Sequence, residues 1–207
     1  PYSIYTPGGA VDLNKRIAVS DGYEAEGSFN MAYVSMVRGS IPFLLLSYII
    51  PDWDIVSADE ITIEGENMEE MLKRERLYMK ESMDAAIINA YQAAGADISI
   101  TGTISEVSYI AEEADTNLKI GDEIVRVNDV EIHSLDDLRA IIEELDEDEQ
   151  VQLDVIRDDE ELECYAYTYN TDDGMKIGVS LLTTYEYTTN PEVSITSKAS
   201  EAGSSGG

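Results

Sequence analysis

The 207 residues leave room for one or two domains, and a hydrophobic content of 43% is ordinary for a globular protein. Thirteen basic residues against 43 acidic ones give a net charge of −30, which repels phosphate backbones and argues against nucleic acid as a partner. The single cysteine, Cys164, forms no internal disulfide, and the longest apolar run, residues 41–50, is half the ~20 residues that a membrane-spanning helix needs.

In chain order, residues 1–7 read as extended and aromatic, with Pro7-Gly8-Gly9 as a turn. Arg16-Ile17-Ala18-Val19 is a short strand, Asp21-Gly22 a turn and residues 27–37 a longer strand, together predicting a hairpin. Ser40 and Pro42 suit a helix start. The following residues 43–50 are too uniformly apolar to face water, and Trp53 is expected to pack on them. Residues 66–94 carry the longest helical period, with Met68, Met71, Leu72, Glu75, Met79, Met83, Ile87 and Ala90 on one face and Gly95 as the cap. That methionine-rich face reads as a core stripe, with an adaptable binding surface as the other reading.

Residues 98–163 form the most organised stretch. A strand at residues 102–109 leads to Leu118-Lys119-Ile120-Gly121-Asp122, a second strand holds Ile124 and Val127, and Asn128-Asp129 turns the chain. Ser134 then caps a helix with Asp136 and Asp137 in its first turn and Leu135, Leu138, Ile141, Ile142 and Leu145 on one face. Val151, Leu153 and Val155 alternate along a third strand, and residues 157–160 turn into a fourth. Beyond it, Tyr165, Tyr167 and Tyr169 share a face, Asp172-Asp173-Gly174 is a turn, residues 177–187 are a long strand and residues 192–197 a last one.

This order of strand, Leu-Lys-Ile-Gly-Asp turn, strand, Ser-capped helix, strand and hairpin resembles the PDZ domains of bacterial proteases. The resemblance implies a groove in which an extended peptide adds as a strand. Here its walls would be Thr101, Gly102, Thr103 and Ile104 on one side and the helix residues Leu138, Ile141 and Ile142 on the other. The carboxylate loop of the family carries a glycine-hydrophobic repeat, whereas Ser99-Ile100-Thr101-Gly102 has one glycine. Internal segments and an autoinhibitory contact therefore stand beside a free C-terminus as expected ligands.

With Tyr2-Ser3-Ile4-Tyr5-Thr6-Pro7-Gly8, Gly27-Ser28-Phe29, Glu81-Ser82, Ala85-Ala86, Ala90-Tyr91, Gly178-Val179-Ser180-Leu181 and the tail Gly203-Ser204-Ser205-Gly206-Gly207, the whole chain resembles bacterial PDZ-containing Lon-like proteases. That resemblance implies an α+β fold in which a PDZ domain (98–163) is inserted between two parts of an incomplete Lon-protease-like α+β domain. Residues 1–97 would carry the hairpin, short helix and long helix, and residues 164–207 would continue to the nucleophile motif. The family's Gly-X-Ser-X-Gly register falls on Ser205 as the catalytic serine, with Gly203, Ser204 and Gly206 giving backbone approach and oxyanion N–H groups. The base would be a lysine beyond Gly207, its pKa lowered by burial.

The resemblance further implies an ATP-independent serine endopeptidase acting on peptides or unfolded proteins. It would be held in a bacterial cell membrane by a single N-terminal anchor preceding Pro1, with its soluble part extracytoplasmic, and assembled as a homo-oligomer. By composition alone the tail is a linker, and the competing reading is a non-catalytic PDZ adaptor. His133 and Cys164 read as structural. No Lys-Ser or Lys-Thr phosphate loop, calcium-loop spacing or zinc-ligand cluster is present, so neither cofactor nor metal is expected.

Overall fold

The computed structural model describes residues 2–23, 26–63 and 65–196. It divides into two compact units, one containing residues up to Met71 and those following Pro191, the other running from Leu72 to Asn190. The first unit begins with β1 (Tyr2–Asp12), followed by a 3-10 turn, β2 (Ile17–Val19), β3 (Asn30–Arg38), α1 (Ile41–Ser47), β4 (Asp54–Ser57) and α2 (Ala58–Ile61). β1 is the central strand of an antiparallel sheet ordered β3-β1-β4, with Ile4 fully buried.

Three expectations change here. Gly8-Gly9 is a bulge inside β1 rather than a turn, because the pairing with β3 shifts between Pro7 and Gly9 and a Cβ on Gly8 would overlap the Tyr33 carbonyl. β2 makes no hairpin with β3, which pairs with β1 instead. The apolar helix α1 is exposed: Ile41, Leu45, Tyr48 and Ile49 are between 63% and 82% accessible, although Trp53 does pack on Phe43 with ring centroids 6.1 Å apart.

α3 (Met68–Ala94) follows, capped by Gly95 at φ +65°. Its buried positions beyond Met71 are Arg74, Leu77, Asp84, Ile87 and Tyr91, while Ala90 is exposed and Met79 and Met83 only half-buried. The buried face is therefore offset from the expected methionine stripe, since it accommodates two charges with partners of their own.

The second unit continues through β5 (Asp97–Ile110), β6 (Glu123–Val127), β7 (Val130–Glu131), α4 (Leu135–Ile142), β8 (Gln150–Arg157), β9 (Glu160–Tyr167), β10 (Tyr169–Thr171), β11 (Gly174–Lys176) and β12 (Val179–Asn190). Its main sheet is antiparallel in the order β12-β5-β6-β8-β9, with β7 attached to β6. Asn128-Asp129 and Asp158-Asp159 take positive φ at the two tight turns, as short polar side chains tolerate. Val107, Ile124, Val127, Leu138, Ile142, Val151, Leu153, Val155, Cys164 and Ala166 form one core, and Leu77 of α3 joins it.

The chain then re-enters the first unit as β13 (Val193–Ile195), which pairs antiparallel with β2. These units differ from the boundaries expected at 97/98 and 163/164: residues 72–97 and 164–190 pack with the core of residues 98–163. Among the described residues no helix is long and apolar enough to cross a membrane.

Leu153 is fully buried at the centre of this core, so Leu153→Ala should cost about 2–5 kcal/mol through lost transfer energy and a residual cavity. Urea denaturation followed by far-UV circular dichroism measures the loss. A cost below about 0.5 kcal/mol, typical of surface positions, would contradict the core described.

Candidate peptide-binding site

The Leu-Lys-Ile-Gly-Asp segment fixes the floor of the site. Gly121 adopts φ +84°, donates its N–H to Val107 O at 2.7 Å, and leaves Asp122 O to accept from Val107 N at 2.8 Å. Asp122 is fully buried; its carboxylate accepts Lys119 N at 2.7 Å and both Nε and Nη2 of Arg157, at 2.7 and 2.6 Å. This fork is the geometry in which a buried carboxylate is satisfied, and it raises the Arg157 pKa further above its ordinary value. Burial also pushes up the adjacent Cys164 thiol, more than Arg157 lowers it, so this cysteine is an inert core residue.

The helix wall is set by its cap. Ser134 Oγ accepts Asp137 N at 3.2 Å, and the Asp137 carboxylate accepts His133 N at 2.9 Å. The His133 N–H first, and then the Ser134 hydroxyl, hold the Asp137 carboxyl below the usual carboxylate range. Leu138 and Ile142, expected to line an open groove, are 3% accessible and belong to the core; Ile141 and Leu135 pack at its margin. His133 is exposed, and its carbonyl accepts the Thr103 hydroxyl at 3.0 Å.

The strand wall is already paired. β5 meets β6 on one edge, and along the other β12 runs antiparallel from Val179 opposite Ile110 to Asn190 opposite Asp97. Ile104 faces Thr184, Thr103 faces Tyr185 and Gly102 faces Glu186, so the edge expected to receive a peptide is held by the chain's own strand. Thr101 lies in the same paired segment, beside the irregularity at Glu186/Tyr187. Leu181 and Leu182 of β12 pack against the core margin with Leu135. Ser105, opposite Thr183, buries its hydroxyl without a partner.

α3 secures β12. Asp84, 6% accessible, accepts the Tyr185 backbone N–H at 3.0 Å and the Tyr187 hydroxyl at 3.3 Å. Burial and this carboxylate raise the Tyr187 pKa, keeping the phenol protonated as a donor. Lys80 Nζ donates to Thr184 Oγ1 at 2.6 Å and lies 3.7 Å from Glu106. Glu123, across the ladder from Glu106, has its pKa raised by burial first and then by Glu106 and Glu186, against a lowering by Lys80.

Sequence patterns identify β12 as a strand but not its partner, so Leu181, Leu182, Thr183 and Tyr185, and the Asp84 that fastens them, are site residues that periodicity misses. Gly203, Ser204, Ser205 and Gly206 lie outside the described residues. Among the described residues no group of three or more His, Cys, Asp or Glu could hold a metal ion.

Two outcomes are expected. Asp84→Ala should destabilise the unit by about 1.5–3 kcal/mol, the range for a lost bond to a charged group, and should speed hydrogen exchange at the Tyr185 amide; unchanged exchange there contradicts the clamp. Because the Glu123 carboxyl is raised on folding, its ionisation opposes the folded state above the unfolded pKa. Glu123→Gln should therefore stabilise the protein at neutral pH, and the gain should vanish as pH falls below the unfolded value of about 4.3. Thermal melts across that range measure it, and a gain that persists unchanged into acid would contradict this origin.

A model of the PDZ domain family matches residues 99–166, spanning β5 to β9 and about a third of the chain. No curated protein matches the chain. Residues 99–166 are a PDZ domain, a module of the peptide-binding kind, carried in a mixed α+β chain that is mostly strand.

Proposed function

We propose that this chain is the N-terminal portion of an ATP-independent Lon-like serine endopeptidase. Its PDZ domain governs access of peptides or unfolded proteins to a nucleophile at Ser205. The observation that carries the reading is the return of the chain after the PDZ unit: β13 pairs with β2, and Ser205 follows Ile195 by ten residues. The segments flanking the PDZ unit thus share a two-stranded sheet, and the Gly203–Gly207 motif follows β13 in the sequence. Small residues on either side of Ser205 leave room for a substrate backbone, and their N–H groups are suited to a developing oxyanion.

A lysine following the nucleophile would accept the serine proton as Ser205 Oγ attacks the peptide carbonyl, the C–N bond would break as that proton passes to the leaving amine, and water would then hydrolyse the acyl-serine ester. The exposed apolar face of α1 is also consistent with this reading, as a surface that a larger catalytic domain would cover. The same resemblance supports a bacterial, single-pass membrane protein with this portion extracytoplasmic, and assembly into a homo-oligomer. A non-catalytic PDZ adaptor is the reading that the matched domain supports by itself.

The two separate on one substitution, made in the protein with whatever its coding sequence adds after Gly207. Casein cleavage without ATP should fall by about 10³-fold or more in Ser205→Ala, with the circular dichroism spectrum unchanged. Cleavage that survives the substitution, or is missing from both forms, removes the peptidase reading and leaves the adaptor.

A further inference from the structure

The first unit holds little core of its own. Its buried hydrophobic residues, among those described, are Ile4, Ala58 and Met71, whereas Phe29 beside β3 and Met31, Tyr33 and Val34 within it are between 45% and 75% accessible. β3 is also an edge: it pairs with β1 on one side, and its other side pairs with no strand among the described residues. Proteins ordinarily blunt such an edge with charge, proline or brevity. β3 runs for nine residues, Asn-Met-Ala-Tyr-Val-Ser-Met-Val-Arg, with no proline and its one charge at the last position, Arg38.

The charge pattern singles out the same segment. Residues 27–51 contain no Asp or Glu, although 43 of the 207 residues of the chain are acidic. Two chains of net charge −30 repel one another, and this stretch is where they can meet without opposed carboxylates. A basic partner would be drawn to the acidic faces instead. A lipid surface would leave the N–H and C=O groups of an open sheet edge unsatisfied, whereas a second strand satisfies them.

We propose that β3 is a self-association strand. Two copies pair β3 with β3, antiparallel about a two-fold axis at Val34, and so join two three-stranded sheets into one. A two-fold contact needs a surface that complements itself, and β3 has that property. With Val34 opposite Val34, Met31 lies opposite Val37, Ala32 opposite Met36, Tyr33 opposite Ser35 and Asn30 opposite Arg38. Directly opposed side chains share a face, so no like charges are set against each other on either face. The inference gives the homo-oligomer of the proposed function a surface and a symmetry, rests on that part of the reading alone, and is independent of Ser205.

The whole protein is followed by sedimentation velocity against concentration and salt. A strand pair of this length is a small interface, so a monomer–dimer equilibrium of micromolar order is expected. It should tighten as salt rises to about 1 M, because screening removes repulsion between the acidic chains. Val34→Lys sets two ammonium groups against each other at the axis and should weaken the dimer about tenfold or more, with the circular dichroism spectrum unchanged because Val34 is exposed. Val34→Cys tests the register. Opposed residues stand about 4.5–5.5 Å apart between Cα atoms, within disulfide reach, so mild oxidation should give a covalent dimer on a non-reducing gel. In Ala32→Cys the two introduced thiols would be four residues, roughly 13 Å, apart and should stay unlinked. Cys164 is buried and adds no background.

A monomer at every concentration and salt, a dimer insensitive to Val34→Lys, a dimer that weakens as salt rises, cross-linking of Ala32→Cys as readily as Val34→Cys, or monomers that bind phosphatidylcholine vesicles in place of pairing each overturns the proposal. Ser205→Ala should pair like the parent. Lost proteolysis with retained pairing, or the reverse, therefore tells the two readings apart.

Discussion

The pairing of β12 with β5 is the constraint on which the rest of the PDZ unit depends. A peptide-binding edge is a row of unsatisfied N–H and C=O groups, and an unprotected edge invites pairing with any strand that arrives. Along β5 such a row is satisfied in cis, from Ile110 to Asp97, by β12, which closes a loop across the whole domain. Each main-chain bond contributes only about 0.5–1.5 kcal/mol net, but they form together, and the closure entropy of the long loop rises only slowly with its length. The sheet is thereby six-stranded with β5 as an interior strand.

α3 follows from the same constraint. A helix packed on a strand edge ordinarily buries an apolar stripe; this one buries Arg74 and Asp84 among Leu77, Ile87 and Tyr91. Arg74 pairs with Glu75 at 2.8 Å and lies 5.8 Å from the centre of the Tyr78 ring. Asp84 meets a backbone donor that β5 leaves unpaired. Both charges are buried because each has a partner, which is the condition under which burial of a charge is tolerated. On the PDZ floor Asp122 and Arg157 meet it by the same means.

What could be read from the sequence is what is decided within a few residues. The Ser134 cap, the Asn128-Asp129 and Asp158-Asp159 turns, the Gly95 helix end and the alternation of Val151, Leu153 and Val155 are local chemistry, and all stand where the pattern puts them. Partner choice is decided at long range. β2 reads equally well against β3 or against residues more than 170 positions away, and only the folded chain selects β13. Leu138 and Ile142 look alike as groove wall and as core, because hydropathy reports that a residue is buried and not by what. The helical period of α3 is legible, but its phase is not, since Arg74 and Asp84 hide on the inner face.

The exposed helix α1 sits on a molecule with 43 acidic and 13 basic residues. Contact between the apolar faces of two copies, at Ile41, Leu45, Tyr48 and Ile49, would be favoured by burial and opposed by the repulsion of two chains of net charge −30. That repulsion reaches about 10 Å at 0.1 M salt and about 3 Å at 1 M. Ionic strength therefore sets the range of that repulsion and leaves the apolar face unchanged, so the balance between the two shifts with the salt around the protein.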